Sequence, residues 1–198
     1  MVRMSGADRR RQILDAATEV ILRRGLALAA TRDVTRAVGV GSGLLHHYFP
    51  SWVELRAEAV QLAARREIDE LKALVADLPA REALDRIANW MVEDEDMRHW
   101  RLWLNAQDEA HRDDLLAGVM NAAMLEWHRL IANLLLRVGE ERGAKTADPE
   151  AAAWRVAALM DGLAGAMLVK GSIVTPHMAR ELIAAQFFLE LGLGPKSA

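Results

Sequence analysis

Side chains that can read the edges of DNA bases are concentrated in one short segment of the N-terminal quarter. A hydroxyl, two imidazoles and a phenol supply hydrogen-bonding atoms there, and Leu44 supplies an aliphatic surface that can touch a thymine methyl group. These features predict contacts with double-stranded DNA, while an ordinary pair of helices inside a bundle is the alternative. The polar members of the segment are Ser42, His46, His47 and Tyr48.

A second set of side chains, in the C-terminal two thirds of the chain, could hold an organic cation. Indole faces attract cations, and Asp161 interrupts an apolar run in which a carboxylate needs a partner. The alternatives are plain core packing for the aromatic residues and, for Asp161, pairing with Arg155 or a cap across a dimer. The side chains predicted to line an effector cavity are Trp90, Trp103, Gln107, Met124, Trp127 and Asp161.

The residue types that would support a metal site or catalysis do not form the required patterns. His46 and His47 are adjacent and point to different helix faces, and the other four histidines have no partner four residues away. The chain has no cysteine, no glycine-rich phosphate loop after a strand, and no nucleophile–base–acid set. We therefore expect no metal, no cofactor and no enzymatic activity.

Composition and charge limit the class of protein. The chain has 198 residues, 52% of them hydrophobic, and a formal net charge of -3. Residues 1–56 hold nine arginines against five carboxylates, so a basic head precedes an acidic body. This charge division suggests a polyanion partner, with nucleic acid the first candidate, and a solvated basic face without a partner is the equal alternative. Abundant Ala, Leu, Arg and Glu favour an all-α fold. Without a signal peptide or an apolar run of membrane length, we expect a cytoplasmic protein with no membrane partner.

Helix start and stop signals divide the chain into about nine helices with no convincing strand. Ser51 with Glu54 predicts a capping box, and Asp148 and Thr175, each followed by proline, predict two more helix starts. Two short helices joined by a glycine-rich turn predict a helix-turn-helix motif. The predicted helices span residues 10–24, 31–38, 43–49, 52–77, 80–93, 99–109, 113–141, 149–170 and 176–191, with an acidic turn at 93–96 and a polar loop at 140–147.

Residues 9–56 resemble the DNA-binding domain of the TetR family of repressors. Residues 43–49 are similar to the choline-responsive, BetI-type betaine regulators, and residues 98–191 resemble the ligand and dimer domain of that subgroup, notably at 100–105 and 157–163. The residues that carry the first resemblance are Ile13-Leu14-Asp15-Ala16-Ala17, Gly25, Arg32-Asp33-Val34, Ala37-Val38-Gly39-Val40, Gly43 through Phe49, Ser51 and Glu54-Leu55.

The resemblance implies a homodimeric repressor that a small molecule, choline or a related amine, releases from a palindromic operator. It implies a DNA-binding domain at residues 1–51 and a ligand-binding and dimerisation domain at 52–198, whose last two helices form a four-helix bundle with their copies. The other reading is an intracellular small-molecule-binding bundle or helical enzyme without DNA activity. The predicted DNA-contacting residues are Thr31, Arg32, Ser42, Gly43, Leu44, His46, His47, Tyr48 and Ser51.

Some positions depart from the family pattern. Ala30 replaces the usual hydroxyl cap of the second helix, which predicts that Thr31 caps one residue later. Gly41 replaces a serine, Leu44 replaces a small polar residue, and Trp52 replaces a lysine near the phosphates. These changes concern the operator sequence and the backbone contacts rather than the fold. Small residues at 162–166 further predict close helix packing, either at a two-fold interface or inside the monomer.

Overall fold

A computed structural model describes residues 5–94, 96–142 and 148–192. Within these ranges the chain forms nine α-helices, one short 3-10 helix (Ala110–Arg112) and no strand, so the all-α prediction is confirmed. Among these residues, no helix combines the length and the apolarity that crossing a bilayer requires. The helices are α1 (Gly6–Arg24), α2 (Thr31–Val38), α3 (Ser42–Tyr48), α4 (Trp52–Val75), α5 (Ala80–Glu93), α6 (Arg98–Glu109), α7 (Asp114–Arg142), α8 (Pro149–Met167) and α9 (Pro176–Glu190).

The chain divides into two compact units. The head unit comprises the described part of Met1–Arg66 together with Arg101–Ala123, and the body unit comprises the described parts of Glu67–Trp100 and Met124–Ala198. Three helices, α4, α6 and α7, therefore contribute residues to both units. The domain boundary between residues 51 and 52 stays a prediction.

One apolar core holds the head unit together. The predicted stripe of α1 is buried, because Ile13 and Ala17 are fully inaccessible and the next turn follows the same spacing. The core also contains Leu45 of α3, so the short third helix is anchored by a single buried leucine and by Phe49, which follows it. Four residues of α6 and α7 complete this core: Leu102, Ala106, Leu116 and Met120.

The first two helices start differently from the prediction. Helix α1 begins at Gly6 rather than at residue 10, because the Ser5 hydroxyl accepts the N–H of Asp8 at 3.1 Å and caps the helix earlier. The prediction that Thr31 caps α2 was wrong. The N-cap is Ala30, whose own N–H donates to the Asp33 carboxylate at 3.1 Å, and Thr31 is the first helical residue.

The other predicted caps are confirmed. Ser51 Oγ accepts the N–H of Glu54 at 3.1 Å at the start of α4. In the body unit, Asp148 accepts the N–H of Ala151 at 2.9 Å, and Thr175 Oγ1 accepts the N–H of Met178 at 3.1 Å. Each cap satisfies an N–H group that the first turn of a helix leaves without a partner.

The body unit packs α5 and α8 against α9. Helix α5 follows Pro79, which has no capping side chain, and the Glu141 carboxylate of α7 accepts the N–H of Ala80 instead, at 3.1 Å. Helix α8 ends at Met167, three residues before the predicted end, because the N–H of Val169 already turns back to Ala166 O at 3.2 Å.

The predicted acidic turn after α5 is present as far as the structure describes it. Asp94 accepts the N–H groups of Asp96 and Arg98 at 3.2 and 2.8 Å, which connects the end of α5 to the start of α6. Glu95, within this turn, lies outside the described residues, as do the basic N-terminus at 1–4 and positions 143–147 of the predicted polar loop.

Candidate functional site

Helix α3 has a polar face that is exposed and an apolar side that is buried. Leu45 is 0% exposed whereas Leu44, its neighbour, is 40% exposed. The hydroxyl of Ser42 and the two imidazoles share the exposed side with Gly43, whose lack of a side chain leaves open space for close approach. The result is a seven-residue helix that presents hydrogen-bonding atoms and one aliphatic side chain to the outside.

The turn before α3 depends on backbone freedom at one glycine. Gly39 ends α2 with φ 71°, in the left-handed region that glycine adopts without steric cost. Its N–H donates to Thr35 O at 2.9 Å and closes the helix. Gly41 then serves as the N-cap of α3, so the two helices follow each other with only three residues between them. This is the helix-turn-helix arrangement that the sequence predicts.

The remaining predicted DNA-contacting residues lie around this motif. Arg32 is exposed on the first turn of α2, and Thr31 before it is half-buried. Tyr48 is half-buried at the end of α3, where its ring meets that of His47 edge-to-face with centroids 5.0 Å apart. Ser51 is half-buried, and its oxygen is the cap of α4 described above.

Arg10 of α1 joins the end of α3 to α4. Its guanidinium carbon lies 4.5 Å from the centroid of the Phe49 ring, and its Nη2 donates to both carboxylate oxygens of Glu58 at 2.6 and 2.7 Å. Phe49 is buried and its N–H donates to Leu45 O at 2.9 Å, the bond that closes α3. We call these three residues, Arg10, Phe49 and Glu58, the Arg10 clamp.

A second arginine fixes α4 to the start of α7. Arg56 Nη2 donates to Asp113 Oδ2 at 2.6 Å, and its Nη1 lies 3.6 Å from Glu109. The Asp113 side chain is 4% exposed and also caps α7 by accepting the N–H of Leu116 at 3.1 Å. Burial acts to raise the pKa of the Asp113 carboxyl, but the hydrogen bonds from Arg56 and Leu116 outweigh it and lower the pKa below its usual value.

Neither arginine is recognisable as a positioning group from the sequence. Arg10 and Glu58 are 48 residues apart, and Arg56 and Asp113 are 57 apart, so no local spacing indicates either pair. Because Arg10, Arg24 and Arg56 have carboxylate partners, part of the basic excess of the head holds the fold together. Arg11, Arg32 and Arg36 are exposed on its surface.

Three indoles form an aromatic cluster in the body unit. The Trp90 ring centroid lies 5.5 Å from that of Trp127 and 6.1 Å from that of Trp100, in tilted geometries. Trp100 and Trp127 are buried, and Trp100 Nε1 donates to Met91 O at 3.0 Å. Two of the six predicted effector residues, Trp90 and Trp127, are thus in contact.

The other predicted effector residues are distributed over both units. Trp103 and Gln107 belong to the head unit, where Trp103 packs against the apolar core. Met124 and Asp161 belong to the body unit and are half-buried. Arg155, the suggested partner of Asp161, donates to Glu190 of α9 at 2.7 and 2.5 Å.

A groove of about 470 Å³ lies in the body unit, and none of the six predicted effector residues lines it. No group of three His, Asp or Glu side chains in the described parts of the chain is arranged to hold a metal ion. The residues that line the groove are Lys72, Glu126, Arg129, Leu130 and Asn133.

Helices α8 and α9 each leave an exposed face of apolar or small residues. On α8, exposed positions follow one another every four residues and include Gly162, where an added Cβ would meet no atom of the chain within 4 Å. On α9 the exposed apolar residues are spaced by four, three and four residues, as on one helix face. The exposed residues of the two faces are Trp154, Ala158 and Gly162 on α8, and Met178, Leu182, Ala185 and Leu189 on α9.

Comparison with protein families gives matches to both parts of the chain. The model of bacterial regulatory proteins of the tetR family matches residues 13–69. The model of the C-terminal domain of BetI-type transcriptional repressors matches residues 79–188, more than half of the chain.

Individual relatives agree with these matches. The chain is 33% identical over 164 residues to the HTH-type transcriptional regulator PksA of Bacillus subtilis, covering 79% of this chain and 77% of that protein. It is 28% identical over 158 residues to BetI of Rhizobium meliloti, covering 78% and 75%. A transcriptional regulator from Saccharomonospora viridis, solved in complex with choline, superposes with a TM-score of 0.80 at 25% identity, over 93% of this chain and 96% of that one. The chain therefore belongs to the TetR family of bacterial transcriptional regulators, with a BetI-type C-terminal domain, and is a DNA-binding regulator rather than an enzyme.

Proposed function

We propose that this chain is a homodimeric repressor that binds a palindromic operator through α3 and is released from it by a small organic cation in the cytoplasm. The observation that carries the proposal is that the polar face of α3 is exposed while Leu45, on the opposite side, is buried in the core. A helix of this kind enters the major groove, where each base pair presents a distinct pattern of donors and acceptors. Footprinting should protect a palindrome whose half-sites are centred about one helical turn, or a multiple of it, apart.

The two kinds of DNA contact are assigned to different residues. Base edges are read by the exposed side of α3, where Leu44 meets a thymine methyl group and the imidazoles meet acceptors or donors. Phosphates are held by Thr31 and Arg32 at the start of α2 and by the hydroxyls of Tyr48 and Ser51, since a hydroxyl whose oxygen accepts can still donate its own proton. The proposed base-contacting residues are Ser42, Gly43, Leu44, His46 and His47.

Replacing Leu44 with alanine should alter operator preference at one base pair, by about 1–3 kcal/mol in discrimination. Replacing Tyr48 with phenylalanine should weaken binding to all operator variants alike, because a phosphate contact carries no sequence information. Binding is measured by fluorescence anisotropy on a panel of single-base operator variants. Leu28→Ala, at an exposed leucine in the turn before α2, is the matched control and should leave every affinity unchanged. Equal losses on all variants from both test substitutions would contradict this assignment.

The proposed dimer uses the exposed faces of α8 and α9. A surface of Met, Leu, Ala and Gly side chains on two adjacent helices allows close approach and buries apolar area when a second copy covers it. Arg155 and Glu190 connect α8 to α9 at their margin and hold the two faces together. A two-fold symmetric dimer would supply two copies of α3, one for each half-site of a palindrome.

The proposed effector is choline or a related amine. The solved regulator that contains choline supports this class of ligand, as does the cluster of three indoles, since ring faces replace the water that a quaternary ammonium loses. Trp90 and Trp127 would form the walls of the site, with Met124 and Asp161 as the other proposed lining residues of the body unit.

Calorimetric titration should give binding of choline but not of neutral or anionic compounds of similar size. Trp90→Leu should weaken choline binding about tenfold, because a cation over a desolvated indole is worth up to about 2 kcal/mol. Asp161→Asn should weaken it by a similar factor, whereas Asp69→Asn, at an exposed carboxylate of the same unit, should have no effect. If Asp161→Asn stays within about twofold of the unchanged chain, well under 1.4 kcal/mol, Asp161 has a structural role instead.

A further inference from the structure

The recognition helix α3 makes few core contacts of its own that could fix its orientation. Helix α3 has seven residues, and only Leu45 among them is buried. Three residues, 49–51, separate it from α4. The orientation of its exposed face therefore depends on how Phe49 is held at this junction.

The Arg10 clamp meets this junction from a different helix. The guanidinium of Arg10 lies over the Phe49 ring, and its Nη2, which donates to both carboxylate oxygens of Glu58, links it to α4 beyond the junction. One side chain of α1 thus touches both Phe49, the residue that follows α3, and Glu58 in the second turn of α4. Arg10 and Glu58 keep 43% and 35% of their side chains exposed, so solvent screening leaves the pair little effect on overall stability.

We propose that Arg10 is a positioning residue for operator binding, which acts through Phe49 and Glu58 and does not contact DNA phosphate. The inference rests on the proposed use of α3 as the recognition helix. With the clamp in place, α3 is already oriented for the groove before it meets DNA, and less freedom is lost on binding. Without it, the free chain samples orientations in which the exposed face does not match the groove.

A second ion pair provides a matched control. Arg66 of α4 donates to Asp15 of α1 at 2.5 Å, with similar exposure of the two side chains. It joins the same two helices as the Arg10 clamp, but through Asp15 rather than through Phe49 and Glu58. Loss of a generic link between α1 and α4 can therefore be separated from loss of the link to the recognition helix.

Operator affinity is measured by fluorescence anisotropy at several salt concentrations for Arg10→Met, Glu58→Gln and Arg66→Met. We expect Arg10→Met and Glu58→Gln each to weaken binding about tenfold, and Arg66→Met less than about twofold. The slope of log affinity against log salt should stay the same in all of them, since no phosphate contact is removed. Melting temperatures of the three variants should agree within a few degrees.

Glu58→Gln distinguishes the clamp from a direct contact. If Arg10 contacts phosphate, removal of the neighbouring negative charge strengthens binding, and Arg10→Met lowers the salt slope by about one. Either result would overturn the proposal, as would equal losses in Arg10→Met and Arg66→Met.

A second measurement, on the DNA-free protein, is amide hydrogen exchange. We expect the Phe49 N–H, which closes α3, to exchange about tenfold faster in Arg10→Met than in Arg66→Met, and equal rates would contradict the clamp. If Leu44→Ala leaves operator preference unchanged, the use of α3 itself is wrong. If that substitution acts as expected while both clamp variants bind like the unchanged chain, only this inference fails.

Discussion

Replacing Gly162 with tryptophan is expected to convert the dimer into monomers and to lower operator affinity at least about a hundredfold, because one head alone loses the gain from a second half-site. An added Cβ at Gly162 would meet no atom of its own chain within 4 Å. The variant should therefore fold normally, and any loss of assembly arises from contact with the second copy. Sedimentation equilibrium measures the oligomeric state, and anisotropy with operator DNA measures the affinity.

The control for this prediction is Gly118→Trp. Gly118 is also an exposed helical glycine with open space around its Cα, but it lies on α7 in the head unit. The same change in size should there leave the dimer intact. If Gly162→Trp sediments as a dimer, α8 is not at the interface.

Replacing Asp113 with alanine is expected to lower the free energy of unfolding by about 2–3 kcal/mol. The carboxylate is nearly inaccessible, pairs with Arg56 and caps α7, so the substitution removes a charge partner and a helix cap in one step. Urea unfolding followed by circular dichroism measures the change. Asp114→Ala, at the neighbouring exposed carboxylate, should cost only a few tenths of a kcal/mol.

The variant Asp113→Asn separates the charge from the cap, since an amide oxygen can still accept the N–H of Leu116. The pKa of the Asp113 carboxyl is lower in the folded chain than its usual value of 3.8, so its ionised form stabilises the folded state above that pH. This stabilisation is lost as pH falls through the lowered pKa. The stability difference between the unchanged chain and Asp113→Asn should be constant near neutral pH and shrink below about pH 4. A difference that grows on acidification would contradict the assignment.

Local signals in the sequence predict most of the helices. Hydroxyl and carboxylate caps at Ser51, Asp148 and Thr175 are recognisable because the side chain and the N–H that it accepts are three residues apart. The same logic fails at α2, where Asp33 inside the helix reaches back to Ala30. At the end of α8, the last turn tightens and ends the helix before Gly171, the residue that the sequence predicts as its stop.

The candidate site is predictable only in part, because only some of its contacts are local in sequence. The exposed side of α3 follows from the types and order of its residues. The Arg10 clamp and the Arg56–Asp113 pair depend on side chains that the fold brings together from distant parts of the chain, and any exposed arginine of the head is an equally good candidate on sequence alone. The sequence predicts that large aromatic residues gather in a core, but it does not predict that Trp90 contacts Trp127 in particular.

The composition of the head core limits how regulators of this kind can be recombined. Leu102, Ala106, Leu116 and Met120 pack in the same core as the N-terminal helices, although they lie 42 or more residues beyond Val60, the last buried residue that those helices contribute to it. An N-terminal fragment transplanted onto a foreign sensor domain would lose this part of its core. A chimeric regulator that is built to keep its operator while changing its effector should therefore carry two separate segments of this chain, residues 5–66 and 101–123, rather than one.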